Sequence, residues 1–377
     1  MVLESRIVPG APKVVDGVDR LLADLLGAHL AQLPAHPTIA VVNARGPGLL
    51  GLLGEVAPGA TVLAHNDLLD QEHAVDQDPA LPLERVQPAL TEDSAYSREL
   101  FSRADIVLVR LPKSLGALTD LARAAAQSLR SDTMVIGAQK DKYLTHSATE
   151  VLESAFATVT ASLGKYKSRA LVARTPLPGV PAPQPTITTL PELGLTMSSL
   201  GGVFSAAKLD IGTRFLLGAL PDLMADYAEA TEFVDLGCGT GLLSAWVARN
   251  RPTAQVVATD LSLAAVRSTR ATAALNNLSG QITVKQADAL AGLAPHSADV
   301  IVCNPPFHTG TVLETATARR MFEQAGRVLR PNAEMWTVFN TPLRYGPLLT
   351  AAVGPTEVIA QNSKFQVTRS TTAARPR

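Results

Sequence analysis

The stretch Glu232-Phe233-Val234-Asp235-Leu236-Gly237-Cys238-Gly239-Thr240-Gly241-Leu242-Leu243 narrows the choice of fold more than any other part of the chain. Phe233 to Leu236 read as a buried strand, and the glycines as a turn into a helix where backbone can approach a ligand closely. Such turns belong to doubly wound α/β sheets, whose ligands lie beyond the carboxyl ends of the strands. The pattern is Asp-x-Gly-x-Gly-x-Gly, without the two-residue gap between second and third glycines that a dinucleotide fingerprint requires. That disfavours a nicotinamide-linked oxidoreductase.

A second stretch limits the chemistry. The apolar run Asp299 to Cys303 stops at Asn304-Pro305-Pro306-Phe307, because each proline lacks an N–H and restricts the residue before it. The Asn304 side chain and the Pro305 carbonyl then stand as two acceptors at a strand's carboxyl end, with the Phe307 ring as a stacking face. A planar group bearing an NH₂ needs this environment when it attacks an electrophile.

Between the two stretches lie more acids at strand ends. Ala254 to Thr259 run into Asp260-Leu261, and Ile282 to Gln286 into Ala287-Asp288-Ala289. A lone aspartate in such a place reads equally as a helix cap. With Asp235 there are three, all on the carboxyl edge of one parallel sheet, which reads as a ligand edge. Asp260 suits ribose hydroxyls, and Asp288 suits an adenine amino group. Asp235 would orient the glycine turn or reach an amino group, while Gly237, Cys238, Gly239 and Gly241 hold the ligand's other end. Upstream, Gly202 to Thr213 lead into an expected helix, Arg214 to Leu220, whose start at Gly212-Thr213 offers free N–H groups to a carboxylate. This segment would cover the ligand; Phe204 within it reads equally as a core residue.

At 377 residues the chain favours two domains. Its first half also alternates elements: a helix over 18–33, strands at 38–42, 60–64, 105–110 and 133–138, and a helix over 118–129. Six prolines between Thr175 and Pro191 then favour an extended connector. The expected division is 1–174, a linker at 175–194, and 195–377. The halves match by offset. A shift of 193 lays Val41, Gly46, Gly48, Leu49 and Leu50 on Val234, Gly239, Gly241, Leu242 and Leu243. A shift of 194 lays Ala104-Asp105-Ile106 on Ala298-Asp299-Val300, and Pro112 on Pro306. We read an internal duplication. The first copy has lost the chemistry: Val42 stands for Asp235, Ala44 for Gly237, and Arg110-Leu111-Pro112-Lys113 for Asn304 to Phe307.

Charge is uneven. Residues 1–102 hold 6 Lys and Arg against 14 Asp and Glu, whereas 103–174 hold 11 against 6, under a total of −1. Arg110, Lys113, Lys140, Lys142, Lys165, Lys167, Arg169 and Arg174 therefore form either a solvated face or a contact for RNA phosphates. Cys238 and Cys303 lie too far apart to read as a metal motif, and no metal is expected; both read as small buried hydrophobes. No apolar run approaches the ~20 residues of a membrane span, and the N-terminus has no signal-like apolar core. The expectation is a cytoplasmic, monomeric protein without membrane contact.

Four segments together resemble the bacterial ribosomal RNA guanine-N2 methyltransferases: Gly202-Val203-Phe204-Ser205 with Leu209-Asp210-Ile211-Gly212-Thr213, the Asp235–Gly241 turn, Asn304-Pro305-Pro306-Phe307-His308, and Val358 to Phe365. Leu111 to Leu115 and Ile136 to Lys140 resemble the large-subunit member more closely. The resemblance implies two tandem Rossmann-like class I methyltransferase domains, the N-terminal one degenerate. It also implies S-adenosyl-L-methionine as cofactor and, as substrate, one guanine of either small- or large-subunit rRNA or its subunit, 23S favoured over 16S. Asn304 and Pro305 would then accept the amino hydrogens, Phe307 would stack on the base, and His308 would position RNA at the rim. Rival readings on the same scaffold are protein N5-glutamine or DNA N6-adenine methylation. A non-catalytic RNA-binding assembly protein is a third, opposed by the intact second glycine turn.

Overall fold

The computed structural model describes residues 15–75, 82–88, 94–203, 208–226, 229–306 and 312–374. They fall into two compact units, Met1–Pro185 with Leu200–Gly202, and Thr186–Ser199 with Val203–Arg377.

The first unit is built on seven strands: β1 Thr38–Val42, β2 Thr61–His65, β3 Leu83–Arg85, β4 Ile106–Arg110, β5 Met134–Lys140, β6 Phe156–Ala161 and β7 Ser168–Pro176. Their order is β3-β2-β1-β4-β5-β7-β6, with β7 antiparallel to both its neighbours and the other pairs parallel. Ile39 to Val42 and all of β4 are buried, as expected of central parallel strands covered on both faces. The helix Gly17–His29 packs Leu22 and Leu26 onto this core. The helix expected over 118–129 spans Leu115–Ser128, starting where the Ser114 hydroxyl accepts the Ala117 N–H.

The second unit repeats the plan. A hairpin, β8 Thr186–Leu190 with β9 Leu195–Ser199, precedes β10 Glu232–Leu236, β11 Gln255–Asp260, β12 Ile282–Gln286, β13 Ala298–Cys303, β14 Leu329–Asn340, β15 Thr356–Gln361 and β16 Phe365–Thr371. The sheet order β12-β11-β10-β13-β14-β16-β15 is that of the first unit, strand for strand. Residues 186–194, expected to be linker, are therefore partly sheet: the β-branched run Thr186-Ile187-Thr188-Thr189 pairs with β9. β9 is held in turn by Asn276 and Thr272 through their bonds to Thr196 and Ser198. The helix expected over 214–220 spans Ile211–Asp226 with Pro221 inside it. It begins earlier because Asp210 caps it, accepting the Thr213 N–H at 2.9 Å.

Asp105 and Asp299, matched by the offset, hold equivalent places. Asp105 accepts the Thr38 N–H at 2.7 Å, and Asp299 accepts those of Thr231 and Glu232 at 3.0 and 2.9 Å. Each carboxylate thus ties the entry of one central strand to the next.

Arg110 corrects the sequence reading. Expected on a basic surface, it is only 6% exposed, and its guanidinium is bonded to Asp16 and Asp19 at the start of the helix Gly17–His29. A cation at the end of a central strand stays buried only when paired. Burial pushes the Asp16 carboxyl up, but the Arg110 bonds and the N–H groups of Asp19 and Val18 hold it well below the usual carboxylate range. Asp19, more deeply buried and beside Asp16, is pushed up despite Arg110. Removing the cation leaves two acids facing one another. Arg110→Ala is therefore expected to destabilise the first unit by about 3–5 kcal/mol in denaturant unfolding; a loss below about 1 kcal/mol would show that the pair is not needed there.

Candidate active site

The carboxyl edge of the second sheet collects the acids and amides. Asp235, fully buried on β10, accepts the Ser244 N–H at 2.9 Å and the Ser244 hydroxyl at 2.6 Å. It thereby fixes the helix Leu242–Asn250 against its strand, orienting the glycine turn between them. Gly237, Gly239 and Gly241 have φ of +79°, +54° and +77°, which side-chain-bearing residues rarely adopt. Gly237 and Cys238 both donate to the Thr259 carbonyl at 2.9 Å, clamping the turn onto β11. A Cβ on Gly241 would come within 2.6 Å of Thr269, so this glycine serves helix packing; the space beside Gly237 and Gly239 stays roomier.

Asp260, at the end of β11, accepts the Gly239 N–H through one oxygen and the Ser262 N–H through the other, both at 2.9 Å. The carboxylate is thus locked at the lip of the turn, with Leu261 beside it. Asp288 lies past β12, next to Ala289 with its φ of +51°, and is ion-paired with Arg320 at 2.9 Å. That arginine, which comes from the helix Val312–Val328, was not singled out by any motif. Cys238 and Cys303 are buried, and burial pushes both thiols well up. Among the described residues no group of His, Cys, Asp and Glu is placed to hold a metal ion.

Asn304 has the most specific surroundings. Its Nδ2 donates to Asp210 Oδ2 at 3.1 Å and to Thr213 Oγ1 at 2.9 Å. Because a carboxylate oxygen only accepts, the nitrogen must face Asp210, which sets the amide's orientation chemically. The Asn304 Oδ1 is consequently turned the other way; it is buried and meets no donor among the described residues. Such an acceptor is costly unless something bound satisfies it. Pro305 beside it is buried and Pro306 exposed. Of Gly212 and Thr213, expected to face a cofactor, Thr213 bonds this amide, and a Cβ on Gly212 would lie 3.0 Å from Asp210 Oδ2 and 3.2 Å from the Phe365 ring. Phe204, Phe307 and His308 lie outside the described residues.

Sequence reasoning gave Asp210 no role. The signal was present as Asp210-x-x-Thr213 ahead of an apolar run, an N-cap pattern, but nothing local shows that the capping carboxylate also reaches Asn304.

In the first unit the basic residues separate into groups. Lys113 and Lys142 set their Nζ 4.3 and 4.7 Å from the centroid of the exposed Tyr143 ring. A hydrogen bond from Lys142, then the charges of Lys113, Lys142 and Lys140, hold the Tyr143 phenol below its usual range. Lys165 is ion-paired with Asp24, and Arg169 stands 3.8 Å from Asp141. Lys140 and Lys167 are exposed.

Asp235 makes stability depend on pH. Burial first, with Asp260 adding to it against the two Ser244 bonds, pushes its carboxyl from 3.8 up to about 6. Its ionised form is disfavoured in the folded chain, so its stabilising contribution is full below the unfolded value of 3.8 and is lost as pH rises through about 6. Relative to Asp235→Asn, the wild-type melting temperature should therefore fall between about pH 4 and pH 6 and level off above. A constant difference across that window would contradict the burial argument.

Comparison with known proteins agrees with this geometry. Residues 24–177 match the RLMG N-terminal domain, and residues 194–369 the methyltransferase small domain. A ribosomal RNA large subunit methyltransferase G of Streptomyces coelicolor is 35% identical over 94% of this chain and 95% of its own. The protein of that name from Pseudomonas putida is 33% identical over 94% and 92%. Among solved structures, a T. thermophilus 16S rRNA N2 methyltransferase in complex with AdoMet and guanosine superposes with a TM-score of 0.77. At 23% identity over 97% of this chain and 94% of that one, it establishes a shared fold. The chain belongs to the ribosomal RNA large subunit methyltransferase G family.

Proposed function

We propose that the second unit transfers a methyl group from S-adenosylmethionine to the exocyclic N2 of one guanine in large-subunit ribosomal RNA. The observation that carries this reading is the Asn304 amide, whose nitrogen is spent on Asp210 and Thr213 so that a buried oxygen is left to accept. Guanine N2 is a weak nucleophile because its lone pair is delocalised into the ring. Asn304 Oδ1 and the Pro305 carbonyl accept its two hydrogens, which favours a tetrahedral nitrogen with the lone pair aimed out of the ring plane. Phe307, next after the proline pair in the sequence, is the residue assigned here to stack on the base. A paired guanine has to leave its stack to reach this corner.

The residues present suit the cofactor. The positive-φ glycine turn leaves room beside Gly237 and Gly239, and Asp260 stands fixed at its lip for ribose hydroxyls. When bound, S-adenosylmethionine supplies an electrophilic methyl on a sulfonium. The protein's part is then to orient the amine, exclude water and hold two acceptors ready, which are positioning and electrostatic terms. The amine proton is released after the methyl has arrived, so no strongly shifted base is called for. In the first unit, Lys113, Lys140 and Lys142 around Tyr143 form a surface suited to RNA phosphates and an unstacked base. Acting on ribosomal RNA, the enzyme works in the cytoplasm; a monomer suffices, since each unit has its own core.

Two results test the reading. Labelled methyl should appear as N2-methylguanosine in 23S rRNA or the large subunit, and nowhere else; label in a protein glutamine or a DNA adenine instead would move the assignment to those acceptors. Asn304→Ala should lower turnover on the order of 10²-fold or more, comparable to removing one transition-state hydrogen-bond partner, while calorimetry shows unaltered cofactor affinity. Loss of cofactor binding in that variant would mean Asn304 belongs to the cofactor's site and not to the acceptor's.

A further inference from the structure

Two turns at the carboxyl edge of the second sheet are stapled together. β14 runs parallel to β13, so it ends at Asn340 on the same edge as Asn304, and antiparallel β16 starts there with Phe365 opposite Asn340. After Asn340 comes the 3₁₀ turn Thr341–Leu343; before Phe365 comes the β15–β16 turn of Asn362, Ser363 and Lys364. The Thr341 N–H donates to the Lys364 carbonyl at 2.9 Å, and its hydroxyl to the Asn362 carbonyl at 3.4 Å. Within the hairpin turn the Asn362 side-chain oxygen accepts the N–H groups of Lys364 and Phe365, each at 2.8 Å. Phe365 is buried, and its ring packs close under Gly212, which lies between Asp210 and Thr213. The stapled turns are thus packed, through Phe365, against Gly212, the neighbour in sequence of the residues that hold Asn304.

Each turn presents an exposed cation, Arg344 and Lys364. Arg320, Arg330 and Arg369 of the same unit are all paired with acids. Among the described residues, Arg344 and Lys364 have no acidic partner. Arg344 moreover adopts φ +49°, a left-handed conformation that glycine would take without strain, so backbone geometry does not account for an arginine there.

The first unit carries the same staple on different residues. The Asp141 N–H donates to the Lys167 carbonyl at 3.1 Å and the Leu144 N–H to the Asp141 carbonyl at 3.2 Å. These match the bonds from Thr341 to Lys364 and, at 3.3 Å, from Arg344 to Thr341. There too an exposed cation stands on each turn, Lys142 and Lys167. Two braced turns with one cation apiece are a recurring element of this chain.

We propose that Arg344 and Lys364 form a two-point clamp on the RNA phosphates flanking the target nucleotide. This rests on the RNA-guanine reading of the site. A base drawn from its stack carries its backbone to the edge of the pocket, where cations on pre-ordered turns bind phosphate with little further loss of freedom.

The test uses the full chain with deproteinised 23S rRNA and compares Arg344→Gln, Lys364→Gln, the double variant and Arg344→Lys. The double variant should raise KM for RNA about 10-fold or more and flatten the slope of log affinity against log salt by roughly one to two. Cofactor affinity should stay within about twofold, as expected of a contact to phosphate alone, and Arg344→Lys should recover most of the lost affinity. Wild-type KM and salt slope in the double variant would overturn the proposal. A raised KM with an unchanged slope would overturn it as well, because the defect would then be structural. The flattened slope with no methyl transferred by the wild type to any RNA would instead sink the guanine reading and leave the clamp standing.

Discussion

The bond pair from the Asn304 amide to Asp210 and Thr213 is the constraint on which the site depends. An amide presents a donor end and an acceptor end of nearly equal size, and only its surroundings decide which end faces a ligand. Asp210 decides it here, since its oxygens accept alone. The same carboxylate caps the helix Ile211–Asp226, so the helix start and the amide are set by one group. Strand β13 brings Asn304 to the sheet edge, the proline pair ends the strand there, and the capped helix fixes the side chain. Fold and chemistry meet at that carboxylate.

The duplicated half shows what happens to this arrangement when its chemistry is gone. The offset of 194 that aligns Asp105 with Asp299 also carries Asp16 to Asp210, Asp19 to Thr213 and Arg110 to Asn304. In both units the first residue of each trio is the aspartate that caps a helix, and in both it bonds the side chain following or ending a central strand. The first unit fills the place with a guanidinium between two carboxylates, satisfying each polar group internally. The second fills it with an amide whose buried oxygen meets no donor among the described residues. One closes the corner and the other keeps it open, on the same backbone plan.

Much of this was legible in the sequence because it is local or periodic. The glycine turn, the Asn-Pro-Pro corner and the near-constant offset pointed to two doubly wound sheets built on one plan. What was missed depends on contacts between distant residues. Arg110 looked like surface charge because its partners lie 94 and 91 residues away, at the start of a helix. Arg320 on Asp288 and Asp210 on Asn304 were hidden for the same reason. The proline-dense run read as linker up to residue 194 because proline dominates composition, yet the threonine-rich segment after it had a strand partner. The lysines of the first unit were read as one cluster; the sheet edge gathers three of them around Tyr143, while Lys165 is neutralised by Asp24.

The most direct measurement is a crystal structure of the full chain with S-adenosylhomocysteine and guanosine. The guanine N2 should lie within hydrogen-bond distance of Asn304 Oδ1, with the Asn304 nitrogen still on Asp210 and Thr213. A base seated elsewhere, or an Asn304 amide turned so that its nitrogen faces the base, would contradict it.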